Sequence, residues 1–235
     1  MKKFQLFICL ILCTFTTFAQ FGRLKDVISG DESINFTEQQ AVEAIKTTLE
    51  NGVRKEVKKL TVKNGFLNNE LAKIGFPENI KNVERKLRAV GLDNLVDKAV
   101  ASLNHTAEEA TKEAIPIFTD AITNIKVEDG INIIKGNESA ATTYLKQKTY
   151  QQLYNKMSPI VSVKFKSVKA DAIWSQLTTK YNRLPFTKDV NPDLIDYVTS
   201  QALEGVFKSI AKEELDIRNE LSARTSDILR TVFGN

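Results

Sequence analysis

Apolar residues recurring at steps of three and four are the feature that most narrows what this chain can become. Ala41, Ala44, Ile45, Leu49, Val53, Val57 and Leu60 follow Thr37 and Gln40, which are spaced as a capping box: the hydroxyl takes one orphan amide and Gln40 reaches back to another. The same period returns along the chain. Pro77 can occupy the first turn of a helix whose members Ile80, Val83, Leu87 and Val90 share one face before Gly91 ends it. Asp93 caps the next, carrying Leu95, Val96, Ala99, Leu103, Ala107, Ala110 and Ala114, and Pro116 must kink or end that helix because its ring displaces the Lys112 carbonyl. Residues 117–125 continue beyond the kink, and 127–134 make a short helix closed by Gly136. Asn137 or Ser139 caps a longer helix running to about Met157, where Ser158 and Pro159 mark a boundary.

Val161, Val163 and Phe165 alternate as a strand would, and Val161, Phe165 and Val168 equally fit a helix. Helix is the better expectation, since no second strand signal exists and an isolated strand leaves its backbone groups unpaired. A helix over 169–183 holds Trp174, Leu177 and Tyr181, and 185–192 reads as loop. Asp193 opens what the pattern makes the longest helix, with Ile195, Val198, Ala202, Val206, Ile210 and Ile217 on one stripe beside Leu203 and Phe207. A last short helix holds Ile228, Leu229, Val232 and Phe233. Lys63, Asn64 and Gly65 signal a turn, and the weakly periodic stretch to Pro77 reads as an ordered loop. The expected fold is all-α, a single multi-helix bundle-like domain of about eight helices over residues 37–235.

Residues 1–20, MKKFQLFICLILCTFTTFAQ, read as a secretory signal over 1–19: two lysines, an apolar run too short to span a bilayer, and cleavage after Ala19. Residues 20–36 read as an irregular entry segment. The expectation is export, to the periplasm first and the medium second. A lipid anchor at Cys13 is disfavoured by the lack of a small residue before it. No later segment is long and apolar enough to span a membrane. Both cysteines, Cys9 and Cys13, lie inside the signal, which removes disulfides, thiolate nucleophiles and Cys-ligated metals from the mature chain. Without Lys2 and Lys3 the 33 basic residues become 31 against 29 acidic ones, a balance that points to no nucleic-acid partner. With 42% hydrophobic residues, ten Gly and five Pro, the composition is that of a globular chain.

Several strings taken together resemble one family: NGFLNN, VERKLRAVGLDNLVDKAV, ATTYLKQKT, SPIV, and above all DYVTSQALEGVF followed by IAKEELDIR and ARTSDILRTVFG. They are similar to the bacterial domain of unknown function DUF4197, over nearly all of the mature chain. The resemblance implies an exported, helical bacterial protein and supplies no catalytic residues. His105 departs from the family pattern, in which arginine is more usual after the asparagine.

Most reaction chemistries are absent. His105 is the only histidine, so two Glu-x-x-His pairs for a di-iron site cannot be formed, and zinc lacks ligands. There is no Gly-x-Ser-x-Gly elbow, no G-x-G-x-x-G and no Walker loop; no cofactor is expected. Carboxylate pairs remain: Asp93 with Asp97, Glu108 with Glu109, and Glu213 with Glu214. The basic clusters at Arg54, Lys55, Lys58 and Lys59 and at Lys164, Lys166 and Lys169 read as solvated faces.

Polar residues at apolar-face positions supply the candidate ligand-binding set. Lys148 follows Ala141, Tyr144 and Leu145 at helical steps, and Glu214 follows Phe207, Ile210 and Ala211 with Arg218 one turn on. Asp196 and Tyr197 lie near the start of their helix, where a carboxylate complements the dipole. Such charges serve either as internal ion pairs fixing helix register or as the polar end of an apolar pocket. The expected role is a non-enzymatic binding module for an apolar ligand or a protein partner, with Lys148, Glu214 and Arg218 as polar determinants. The alternatives are a structural or assembly protein without ligand, which predicts a filled core, and a carboxylate-based hydrolase or lyase, which predicts two acids in one pocket.

Overall fold

The computed structural model describes residues 37–77, 81–167, 169–183 and 194–219. Eight α-helices and no strand occur among them: α1 (Glu38–Thr61), α2 (Lys81–Ala89), α3 (Asp93–Thr111), α4 (Ala114–Thr123), α5 (Val127–Lys135), α6 (Ala140–Ser167), α7 (Ala170–Asn182) and α8 (Ile195–Asn219). The all-α expectation is met. The signal and entry segments, Ile80, the 185–192 loop, the Asp193 cap and the short helix at 228–233 lie outside the described residues.

Local chemistry sets some boundaries. Thr37 and Gln40 form the capping box at α1, with the Gln40 amide donating to the Thr37 hydroxyl at 3.2 Å and the Thr37 amide donating to Gln40 Oε1 at 2.9 Å. Pro116 ends one helix and begins another: α3 stops at Thr111, and the proline takes the third position of α4, where its missing N–H has no intrahelical acceptor to lose. Val90 falls outside α2 and is exposed, so the shared face of that helix is Val83 and Leu87.

The largest departure is at Pro159, which lies inside α6 and does not bound it. Among the described residues α6, at 28, is therefore longer than α8, at 25. A proline in a helix interior costs about 3 kcal/mol. Burial offsets this: Leu153, Met157, Val161 and Phe165 are buried at successive four-residue steps across the proline, each worth about 1.5–3 kcal/mol, while Pro159 faces solvent. Each four-residue step advances roughly 40° around a helix, so the buried line from Leu145 to Phe165 winds through about 200°. A helix buried on changing sides must have neighbours all round, and α6 packs against α8, α3, α4, α7 and α5.

α3 lies against α6, α7 and α8 with Ala99, Ala107 and Ala110 fully buried, short side chains that let the axes approach. Several buried hydroxyls here bond back along their own helices: Thr106 to the Ser102 carbonyl at 2.8 Å, Thr149 to Leu145 at 2.7 Å and Thr199 to Ile195 at 2.7 Å.

Candidate functional site

Glu214 and Arg218 sit where three helices meet. Glu214 is 6% exposed and accepts the Ala141 and Thr142 amides at 2.9 and 2.8 Å and the Thr142 hydroxyl at 2.8 Å, so it caps the N-terminus of α6. Arg218 donates to Glu214 Oε1 at 3.0 and 2.8 Å and to the Ile133 carbonyl at 2.8 Å near the C-terminus of α5. An anion at a helix start and a cation at a helix end each meet the favourable end of a macrodipole. This is an internal ion pair that joins α5, α6 and α8. The apolar cavity beside it, lined by Ile45, Leu49, Ile133 and Ala141, holds about 20 Å³, room for one water.

The other candidate residues do not join that pair in one site. Lys148 is exposed and not on the apolar face; its ammonium stands 5.4 Å from the Tyr144 ring centroid. The buried line of α6 advances about 40° at each step through Leu145 and Thr149, whereas a seven-residue step from Ala141 falls back by roughly 20°, which leaves Lys148 about 100° behind Thr149. Tyr144 donates to Asp129 on α5 at 3.2 Å, and burial, with the Asp129 charge, pushes its hydroxyl pKa up. Asp196 accepts from Tyr154 at 2.6 Å, which raises that tyrosine, and Tyr197 donates to the Gly75 carbonyl at 3.0 Å. Among the carboxylate pairs, Asp93 and Asp97 both bind Arg88, while Glu213 binds Lys55 and points away from the work of Glu214.

His105 and Glu108, which the sequence offered only as a lone histidine and one of three carboxylate pairs, prove to anchor a loop. Residues 62–77 run without regular structure, longer than a connection needs, and α3 holds them at several points. Asn104 accepts the Ile74 amide at 2.9 Å and donates to the Ile74 carbonyl at 2.8 Å. His105 Nε2 lies 3.0 Å from Asn64 Oδ1, and Glu108 accepts the Phe66 amide at 3.3 Å. Asn64 has φ +64°, and a Cβ on Gly65 would stand 2.4 Å from the Lys59 carbonyl oxygen, which explains the asparagine–glycine pair in NGFLNN. From the other side, a Cβ on Gly205 of α8 would stand 2.9 Å from Ala72 Cα, so the glycine of DYVTSQALEGVF admits the loop.

Beside this loop lies a groove of about 420 Å³ whose lining includes Lys63, His105, Glu108, Glu109, Lys112 and Lys164. Burial pushes the Glu108 carboxyl up, opposed by His105 and by the Asn64 and Phe66 amides. Lys112, at 2.5 Å, holds Glu109 down with help from Lys164 at 3.6 Å. The periodicity gave no sign of this, because the groove is made by a loop closing over a helix. Among the described residues no group of three or more His, Cys, Asp or Glu is placed to hold a metal, and no helix is long and apolar enough to cross a membrane.

No curated protein and no solved structure matches the chain. Its loop-anchoring strings and its capping glutamate all fall within residues 35–234, the stretch matched by the family described as "Protein of unknown function (DUF4197)", and the chain belongs to that family.

Proposed function

We propose that this chain acts outside the cytoplasm as a non-enzymatic helical binding module, and that it takes a protein partner on its surface at the groove beside residues 62–77. The observation that supports this reading is a contrast in volume. The cavity at Glu214 and Arg218 holds about 20 Å³, too little for an apolar ligand, whereas the groove at His105 and Glu108 offers about 420 Å³. Its lining is charged, with Lys112 and Lys164 engaged by Glu109 and Lys63 outside that pairing, which suits a segment bearing an acidic side chain. Export rests on the signal-like residues 1–20.

A photoreactive side chain at Lys63, introduced in the host cell, should give one discrete adduct that Lys112→Glu and Lys164→Glu weaken, with none from the same group at Lys135. Absence of the Lys63 adduct, or a lipid-sized mass retained in native mass spectrometry, overturns the reading. One observation favours a hydrolase instead: Glu108 and Glu109 line one groove with their carboxyls pulled in opposite directions, as an acid and a base would be. In that case Glu108→Gln and Glu109→Gln abolish turnover while leaving the fold intact.

A further inference from the structure

A different face of α6 carries chemistry that the charged groove does not use. Its N-terminal half lines two depressions of about 290 and 530 Å³ that share Thr143 and Gln147. From Ala140 to Gln151 this face runs about 17 Å, and it ends about 20 Å along the helix from Lys164. Four carboxamides, Asn132, Asn137, Gln147 and Gln151, contribute to the lining. Tyr150 stands among them, half-buried and held still: it stacks on Phe207 with ring centroids 6.3 Å apart at 21°, and Phe207 is set edge-on against Phe118 at 5.6 Å.

We propose that this face binds a neutral oligosaccharide. A carboxamide presents a donor and an acceptor side by side, which matches the vicinal hydroxyls of a sugar ring. Asn132 and Gln147 supply both groups, while Asn137 Oδ1 already accepts the Ser139 amide and Gln151 Nε2 donates to Asn155, so those two add an amide and a carbonyl respectively. The fixed Tyr150 ring offers a surface for sugar C–H groups. The charges present are already engaged: Lys146 binds Glu204 at 2.6 Å, and Asp129 accepts from Tyr144. An anionic polymer or a lipid headgroup therefore finds no unpaired cation in the lining. Two shallow depressions in line along the helix suit a chain of several sugar rings lying across both.

The test is nuclear magnetic resonance of the full chain titrated separately with cellotetraose, maltotetraose and tetra-N-acetylchitotetraose. At least one probe should shift signals of Thr143, Gln147, Tyr150 and Gln151 while leaving Lys63 and His105 unmoved. Gln147→Ala and Gln151→Ala, both at exposed positions and checked for helicity, should each weaken binding about three- to tenfold. Failure of all three probes to move those signals at millimolar concentration overturns the proposal, as does binding unchanged in the double variant. Either result leaves the photocrosslinking test at Lys63 unaffected.

Discussion

Glu214 accepts the backbone amide of Ala141 at 2.9 Å across 73 residues of sequence, so α6 begins with a cap supplied by α8. Ser139, which sits where a local cap would, donates its own amide to Asn137 instead. The start of α6 is thus held by a residue that arrives only when the tertiary fold closes, and Arg218 ties the same carboxylate to the end of α5.

Glu214→Ala removes that cap and leaves Arg218, with its side chain 9% exposed, without its carboxylate. The expected loss is about 3–5 kcal/mol by urea denaturation. Replacing both residues by methionine should cost less than Glu214→Ala alone, because the guanidinium is then removed together with its carboxylate.

Asn104 pairs with both backbone groups of Ile74, a residue only 1% exposed. Asn104→Ala strands a buried donor and a buried acceptor, at about 2–3 kcal/mol. Hydrogen exchange at the Ile74 amide should accelerate well beyond that of amides in the middle of α6.

Gly205→Ala gains about 1 kcal/mol of helix propensity but drives a methyl into Ala72 Cα, a backbone atom that cannot swing aside. Overpacking of that kind outweighs the gain, leaving a net loss of about 1–2 kcal/mol in thermal or chemical unfolding. Gly75→Ala meets nothing within 4 Å and should stay within about 0.5 kcal/mol.

The folded chain holds the Glu108 proton more tightly than the unfolded chain does, because burial raises that carboxyl above the ordinary value of 4.5. Stability from this group is therefore greatest at low pH and falls as pH rises above 4.5 through the folded value. Glu108→Gln should flatten that decline in denaturation midpoints measured across the mildly acidic range. Glu109 has the opposite sign: Lys112 holds its carboxyl down, so its contribution is present above the ordinary glutamate value and is lost as pH falls. Glu109→Gln should flatten only the acid limb.

Pro159→Ala restores a missing amide in a solvent-facing turn of α6. The helix gains about 3 kcal/mol, and about 1 kcal/mol is lost as the unfolded chain becomes freer. A net stabilisation of about 2 kcal/mol in urea denaturation is expected.

Helix existence and the identity of the core were legible in the residues, because periodicity acts over one or two turns: Ile45, Leu49, Val53, Val57 and Leu60 are buried as their spacing requires. The charges of Glu214 and Arg218 were legible for the same reason, as polar residues on an apolar stripe one turn apart. Lys148 was misjudged because the buried line of α6 drifts as its neighbours change, and Pro159 because local strain was weighed without the packing of Met157, Val161 and Phe165 on either side.

What no spacing rule reaches is who meets whom over long separations. Glu214 on Ala141, Asn104 on Ile74, His105 beside Asn64 and Gly205 against Ala72 join segments from 30 to more than a hundred residues apart. Local preference sets each helix within a few residues, but the loop, the groove and the α6 cap form only when distant backbone groups lose water together and must find partners in one another.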